Sequence, residues 1–375
     1  MSAIGDILKP VPLIDGHNDL PYQFRKLSKD GFDAMDWASD TTRFVPPLAT
    51  DFKRLKAGGV GAQFWAAYVP FTLSGPPAVA VLMEQIDCIR QLAARYSNET
   101  ELALNADDVL RIHAKGKLAS LIGMEGGHGI GASLAVLRIC HALGARYMTL
   151  THVKNNEWAD ASTDKPAHHG LTTFGERVVK EMNRLGMMVD LSHTSDETVA
   201  AALRVSTSPV IFSHSGARAI CNHPRNVPDD LLKGIAASGG IVMAVFLPEY
   251  VTEAARLAGE AMGAEESRLA KLYPGDTARQ SAALAEWQAT QPVFPRPTLK
   301  DVANHIDHLR DVMGINHVGI GSDFDGFKNP PPLGLEDVSC FPALLEELQT
   351  RGYSDADLKK VAGENILRVM RDVGC

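Results

Sequence analysis

The chain has 375 residues, 45% of them hydrophobic and 22% charged, with a formal net charge of -8. This is ordinary globular composition, long enough for one large α/β domain or two smaller ones, each with a sizeable core. Mild acidity without any basic block excludes nucleic acid as a main partner, and no run of about 18 apolar residues offers a transmembrane helix.

In chain order, the opening MSAIGDILKP lacks the charged and apolar regions of a signal peptide. Residues 11–14 predict a buried strand, running into Asp15-Gly16-His17-Asn18-Asp19-Leu20-Pro21. Residues two apart on a strand face the same side, so His17 and Asp19 would aim at one point, as metal ligands do. Asp, Gly and Asn are also turn formers, and a plain turn is the competing reading. A polar stretch through Pro47 has little periodicity and is expected to be a loop. A short helix at 51–56 ends at Gly58-Gly59, a strand covers 60–69, and a helix with an i, i+3, i+4 stripe covers 79–96. Asn105 is the N-cap of a further helix.

From there a strand and a helix alternate. Strands are predicted at 118–124, 146–150, 187–191, 210–212, 241–246 and 318–320. Helices are predicted at 134–143, 173–185, from the Ser195 cap to 203, and at 228–237 and 299–313. Counting the first two, this makes eight strands. Strict alternation implies a parallel sheet with right-handed crossovers, and eight units imply a (β/α)8 TIM-type barrel. A doubly wound open sheet would gather ligands at a single switch point. Here polar candidates follow most strands, which only a closed barrel brings to one mouth. A single domain over 1–375 is expected, with a helical insertion at 248–297. That insertion reads either as a lid or oligomer contact, or as a solvated excursion. The five cysteines (Cys88, Cys140, Cys221, Cys340, Cys375) form no CxxC pair and read as reduced thiols of a cytoplasmic protein. The terminal LRVMRDVGC is too short and charged for a lipid-anchor signal, so no membrane anchor is expected.

The expected metal ligands are His17 and Asp19, Glu125 after LASLIGM, His193 and His214. An isolated histidine beside a strand is usually a packing residue, but five polar residues converging on one mouth are not independent. A carboxylate such as Glu125 is costly to bury without a positive partner. Histidine nitrogen and carboxylate oxygen suit zinc, with manganese or cobalt as compatible substitutes. If one carboxylate bridges, the set holds two ions; a single-ion site using part of it is the simpler option. His128 is expected to shape its loop. His168 and His169, in a loop, and His305 and His308, on a helix surface, are assigned no role.

The segments DGHNDLP (15–21), GMEGGHGI (123–130), LTHVKNNEWAD (150–160), DLSH (190–193), FSHSGAR (212–218), RNVPDD (225–230) and GIGSDFDG (319–326) span most of the chain. In that order they resemble the membrane dipeptidase (renal dipeptidase) family, peptidase family M19, among the amidohydrolase-like barrels. The resemblance implies a binuclear zinc enzyme that hydrolyses dipeptides, L-Xaa-L-Xaa or L-Xaa-D-Xaa, with water activated by the metal. It carries His17, Asp19 and Glu125 over as ligands of one zinc, and Glu125, His193 and His214 as ligands of the other. Asp323 is implied as the proton-transfer group, with neighbouring Asp325 the residue that could be mistaken for it. His152 is implied as the histidine that contacts substrate and stabilises the oxyanion, and Arg225 as the group that holds the dipeptide carboxylate. By chemistry alone Arg218 could serve as well as Arg225. The alternatives are hydrolysis of another small amide, such as a lactam or an N-acyl amino acid, and a non-catalytic metal-binding scaffold. The expected partner is a small dipeptide, with a homodimer compatible.

Overall fold

Short strands buried on both faces and separated by amphipathic helices pair in parallel, because the crossover helices cover each face. The computed structural model describes residues 3–28 and 36–375. Among these residues are nine parallel strands: β1 (Leu13–Asn18), β2 (Val60–Tyr68), β3 (Thr100–Leu102), β4 (Leu118–Glu125), β5 (Ala145–Thr149), β6 (Met188–Asp190), β7 (Val210–Ser215), β8 (Ile241–Ala244) and β9 (Val318–Ile320). Eight of them form a closed ring, β1-β2-β4-β5-β6-β7-β8-β9, in which β2 lies against β4 along its length and Asp15 of β1 pairs with Ile320 of β9. This is the (β/α)8 barrel that the alternation predicts.

The extra strand, β3, is not in the sequence reading. It lies outside the ring and pairs with residues 118–120 at the start of β4, ahead of the point where β5 takes over at Ile122. Three residues between two helices are too few to carry a period. The predicted loop through Pro47 also needs correction, because Leu20–Leu27 is a helix and Thr41–Arg43 a 3₁₀ turn. Asp19 at the cap and Pro21 in the first turn are helix-start signals, hidden in the sequence by the polar residues that follow. Residues 29–35 of that loop lie outside the described residues.

Alternation along the strands divides the core in two. Leu13, Trp65, Ile122, Met148, Val189, Phe212, Val242 and Ile320 face outward, into one cluster with the surrounding helices. Their neighbours Ile14, Phe64, Leu121, Tyr147, Met188, Ile211, Ile241 and Met243 belong to a second cluster inside the ring. That inner cluster continues into Val109 and Ile112 and into Ile366, Val369 and Met370 of the C-terminal helix, which close the lower end. Side chains therefore fill the barrel in layers, and the upper end is left for polar residues.

Filling the ring requires small residues opposite large ones. Gly123 on β4 faces the buried Tyr147, and a Cβ at Gly123 would lie 2.0 Å from the Tyr147 Cζ. Tyr147 has no exposed surface into which it can retreat. We expect Gly123→Ala to lower stability by about 1–3 kcal/mol through overpacking, read as a lower denaturant midpoint with unchanged slope.

Candidate metal centre and cleft

The opening stretch places His17 and Asp19 by breaking the strand. The register of β1 slips between Asp15 and Asn18, and Asp19 becomes the cap of the helix Leu20–Leu27. An aspartate at this position usually accepts from the first-turn amides, but the Asp19 side chain makes no such bond. Asn18 takes the task instead, its Oδ1 accepting from Leu20 N at 3.0 Å. The freed Asp19 carboxylate lies 3.7 Å from His17 Nε2. Asp15, on the same side of the strand, is spent on structure: it accepts from the Ser322 amide and hydroxyl at 2.7 and 2.6 Å and so ties β1 to the end of β9.

Glu125, the last residue of β4, is the hub. Its Oε1 lies 3.0 Å from His193 Nε2, 3.5 Å from His17 Nε2, 3.6 Å from His214 Nε2 and 3.7 Å from His152 Nε2. His193 and His214 bring their Nε2 atoms within 2.9 Å of each other. His17, Asp19 and Asp323 form an adjoining group of converging ligand atoms. The structure thus brings together all five expected metal ligands together with His152 and Asp323.

The far side of two imidazoles determines what the near side offers. The Tyr147 hydroxyl donates to Gly16 O at 3.0 Å, so at 2.9 Å from His17 Nδ1 it accepts. Likewise the Ser213 hydroxyl donates to Asp190, so at 2.8 Å it accepts from His214 Nδ1. Both rings then carry Nδ1–H and turn the Nε2 lone pair toward Glu125. His17 Nε2 has no hydrogen-bond partner although it is fully buried. A lone pair between two carboxylates demands a positive charge, met either by a proton or by a metal ion. Burial alone would lower the His17 pKa; the Glu125 and Asp19 charges override it and raise it to about 10. Burial would raise Glu125, but the neighbouring His17 charge holds it well below the usual carboxylate range. His193 and His214 are pushed well below the usual histidine value, by burial first and by neighbouring positive charge second. Neutral imidazoles and an ionised carboxylate are the donor set that divalent metals take. The residues present fit such an ion.

The backbone is strained at the same places. His193, Asp323 and Asp325 have φ of 73°, 66° and 65°, a region costing non-glycine residues of the order of 1–3 kcal/mol each. Asp323 and Asp325, ambiguous in the sequence, separate clearly. Asp325 Oδ1 accepts from the Ala49 amide at 2.6 Å and anchors a neighbouring loop. Asp323 faces His17 and Asp19, and burial raises its carboxyl above the usual carboxylate range.

Arg218 and Arg225 separate as clearly. Arg218 is held by Asp196 at 2.5 and 2.8 Å and by Asn226 O at 2.9 Å. Arg225 is 2% exposed and bonds only to neutral groups, Ser215 Oγ and His214 O, each at 3.1 Å. Its Nε has no hydrogen-bond partner, and its guanidinium lies 5.3 Å from the Tyr250 ring centroid. Among the described residues no carboxylate lies within ion-pair distance of this buried cation. His152 packs against Tyr68 and His193, ring centroids 4.8 and 4.3 Å away, and burial lowers its pKa to about 4, leaving a neutral imidazole.

Four further histidines, His128, His168, His305 and His308, make contacts within the protein. His128 is buried at its loop, with Nε2 3.3 Å from Pro70 O. His168 Nε2 lies 2.9 Å from Asn156 O. His305 corrects the surface expectation: it is 1% exposed, and it bridges the Ala217 amide at 3.0 Å and Val251 O at 2.9 Å. His308 pairs with Asp229 at 2.8 Å. Sequence reasoning missed Tyr147, Ser213 and Asp190, whose only signal is their inward register on strands that end in ligands.

Above the cluster opens a cavity of about 560 Å³, lined by Asp19, Tyr68, Glu125, His152, His193, Tyr250 and Asp323 among others. The insertion supplies one wall through Glu249, Arg256, Met262 and Glu266. Its last helix, Thr277–Thr290, buries no residue. Among the described residues no helix is long and apolar enough to cross a membrane.

A closed parallel barrel with histidines and carboxylates meeting at its strand ends is a (β/α)8 barrel with a candidate metal centre at its mouth. The chain belongs to the membrane dipeptidase family (Peptidase family M19), whose model matches residues 1–374. It is 42% identical to Dipeptidase 3 of Rattus norvegicus over 373 residues, covering 98% of this chain and 66% of the relative, just under two thirds. It is 41% identical to Dipeptidase verJ of Clonostachys rogersoniana over 378 residues, covering 98% and 85% of the two chains. A Rhodobacter sphaeroides metallo peptidase, solved with a phosphinate mimic of the dipeptide L-Ala-D-Ala, aligns with TM-score 0.78 and 25% identity over 97% of this chain and 99% of its own. The probable dipeptidase PvdM of Pseudomonas aeruginosa aligns with TM-score 0.81 and 26% identity over 98% and 96%.

Tyr147→Phe should weaken divalent-metal binding about 10–100-fold, the usual cost of losing a partner that orients a ligand histidine. Competition with a chromogenic chelator measures this, with circular dichroism reporting an unchanged fold.

Proposed function

We propose that this chain is a metal-dependent dipeptidase. The observation that carries the reading is the Glu125 carboxylate ringed by imidazoles beside a buried arginine with no carboxylate in ion-pair distance among the described residues. A dipeptide supplies what both need, a scissile amide for the cluster and a terminal carboxylate for Arg225. His17, Asp19 and Glu125 would hold one divalent ion, and Glu125, His193 and His214 the other, zinc being the natural choice for this donor set. Bound there, the ions would supply a water of lowered pKa and polarise the scissile carbonyl.

The protein's own groups do the rest. Arg225 receives the carboxylate through its fork. It also relieves a buried cation that has only neutral partners. His152, neutral and beside Glu125, donates an N–H toward the oxygen on which charge develops. Asp323 takes the proton of the attacking water and returns it to the leaving nitrogen. The ligand sets and these roles are supported by the convergence of the side chains and by the family. The phosphinate mimic of L-Ala-D-Ala held by the Rhodobacter relative supports dipeptides with a D-residue in second place, and L,L-dipeptides are proposed beside them.

Dialysis against a chelator should abolish hydrolysis of a dipeptide panel, and added zinc should restore it; activity indifferent to both would sink the reading. Replacing Arg225 with Met should reduce kcat/KM for dipeptides by at least about 100-fold, the scale expected when a charged recognition partner is lost. Little change would point to a substrate without that carboxylate.

A further inference from the structure

Given the dipeptidase reading, the cavity also carries information about which dipeptides fit. Most of its charged side chains are neutralised within the protein. Arg256 is clasped by Glu253 and Glu260 at 2.7 and 2.6 Å, and Lys328 is bonded to Glu266 at 3.0 Å. Glu249, like Lys26 elsewhere on the lining, has no such ion pair among the described residues. It lies on the short helix Pro248–Val251 at the root of the insertion and lines the cavity. Its Oε1 accepts from the Asn329 amide at 2.5 Å, a neutral donor, and among the described residues no cationic side chain lies within ion-pair distance of it. The position is built rather than incidental: a Cβ on Gly259 of the insertion helix would stand 2.6 Å from Glu249 Cγ, so glycine there lets the helix wedge the carboxylate against the cavity. Burial raises this carboxyl above its ordinary range, as it does for any acid short of a cation.

Glu249 directly precedes Tyr250, whose ring lies under the Arg225 guanidinium. A substrate residue that gives its carboxylate to Arg225 would start beside Tyr250, which lines the cavity together with Glu249. We propose that Glu249 is a specificity-determining residue that receives a basic side chain, lysine or arginine, on the carboxylate-bearing residue of the dipeptide. Arg225 and Glu249 then form a complementary pair, and each half-satisfied charge finds its counter-charge only in the complex. An acidic side chain meets like charge and is rejected, which is selection by repulsion as well as attraction.

The test compares Ala-Lys, Ala-Leu and Ala-Glu on the zinc-loaded full chain. Wild type should favour Ala-Lys over Ala-Leu by about 10-fold in kcat/KM, with Ala-Glu poorest. Glu249→Gln should erase the lysine preference while changing Ala-Leu less than about 3-fold, and Glu249→Lys should reverse the order in favour of Ala-Glu. Calorimetric Kd values for the same peptides on Asp323→Asn give a readout independent of turnover. Equal use of Ala-Lys and Ala-Leu by wild type, or an equal fall for both in Glu249→Gln, overturns the proposal. Loss of all turnover in wild type with a preserved Kd preference in Asp323→Asn would instead refute the dipeptidase reading and leave this selectivity standing.

Discussion

A carboxylate held out of water at the end of a central strand is the constraint on which the rest of this molecule depends. Glu125 is 3% exposed, and an ion so buried is tolerated only if positive or donating groups surround it. The barrel meets this by sending an imidazole toward it from each of four strand ends, those of β1, β5, β6 and β7. The imidazoles in turn need orientation. Tyr147 and the Ser213–Asp190 pair supply it by accepting the Nδ1 protons of His17 and His214. What looks like a ligand cluster is therefore two concentric layers, and the outer one fixes which nitrogen faces the centre.

The layered filling of the ring serves the same end. Tyr147 belongs to the inner core cluster and also orients His17, so the packing that stabilises the barrel sets the site's geometry. Gly123 makes room for that ring. Asp15 ties β1 to the end of β9 through Ser322, holding His17 and Asp323 on adjacent strand ends. The left-handed backbone at His193 and Asp323 persists because these surroundings overdetermine it. A small local cost is offset by the packing of the whole domain.

The cleft above the cluster follows a related logic at its rim. Ion pairs such as Arg218–Asp196 and Lys328–Glu266 are closed within the protein and ask nothing of a ligand. Arg225 and Glu249 are left with neutral partners. Charges that a fold buries without compensation are the ones with chemistry left to offer a substrate. Separating them from the satisfied ones required coordinates, because Arg218 and Arg225 look alike in a string of letters.

The alternation of apolar runs and amphipathic stripes was enough by itself to determine the barrel. Period and length are local properties of the chain, and parallel pairing with helical crossovers follows from them. The helices Thr173–Leu185 and Leu299–Met313 and the strand Val318–Ile320 have the predicted bounds. The residues that converge on Glu125 were legible as well, because each stands where an apolar run stops and a polar side chain begins. What the sequence could not carry was anything requiring two distant segments at once. β3 exists only because β4 offers an edge. His305 is buried because the loop at Ala217 and the end of the helix Pro248–Val251 close over it. The helix after Asp19 leaves that carboxylate free only because Asn18 caps in its place. Asp323 rather than Asp325 faces the centre because Ala49 claims the other. These are pairings between groups far apart in the chain, and only the tertiary fold decides which partner reaches which.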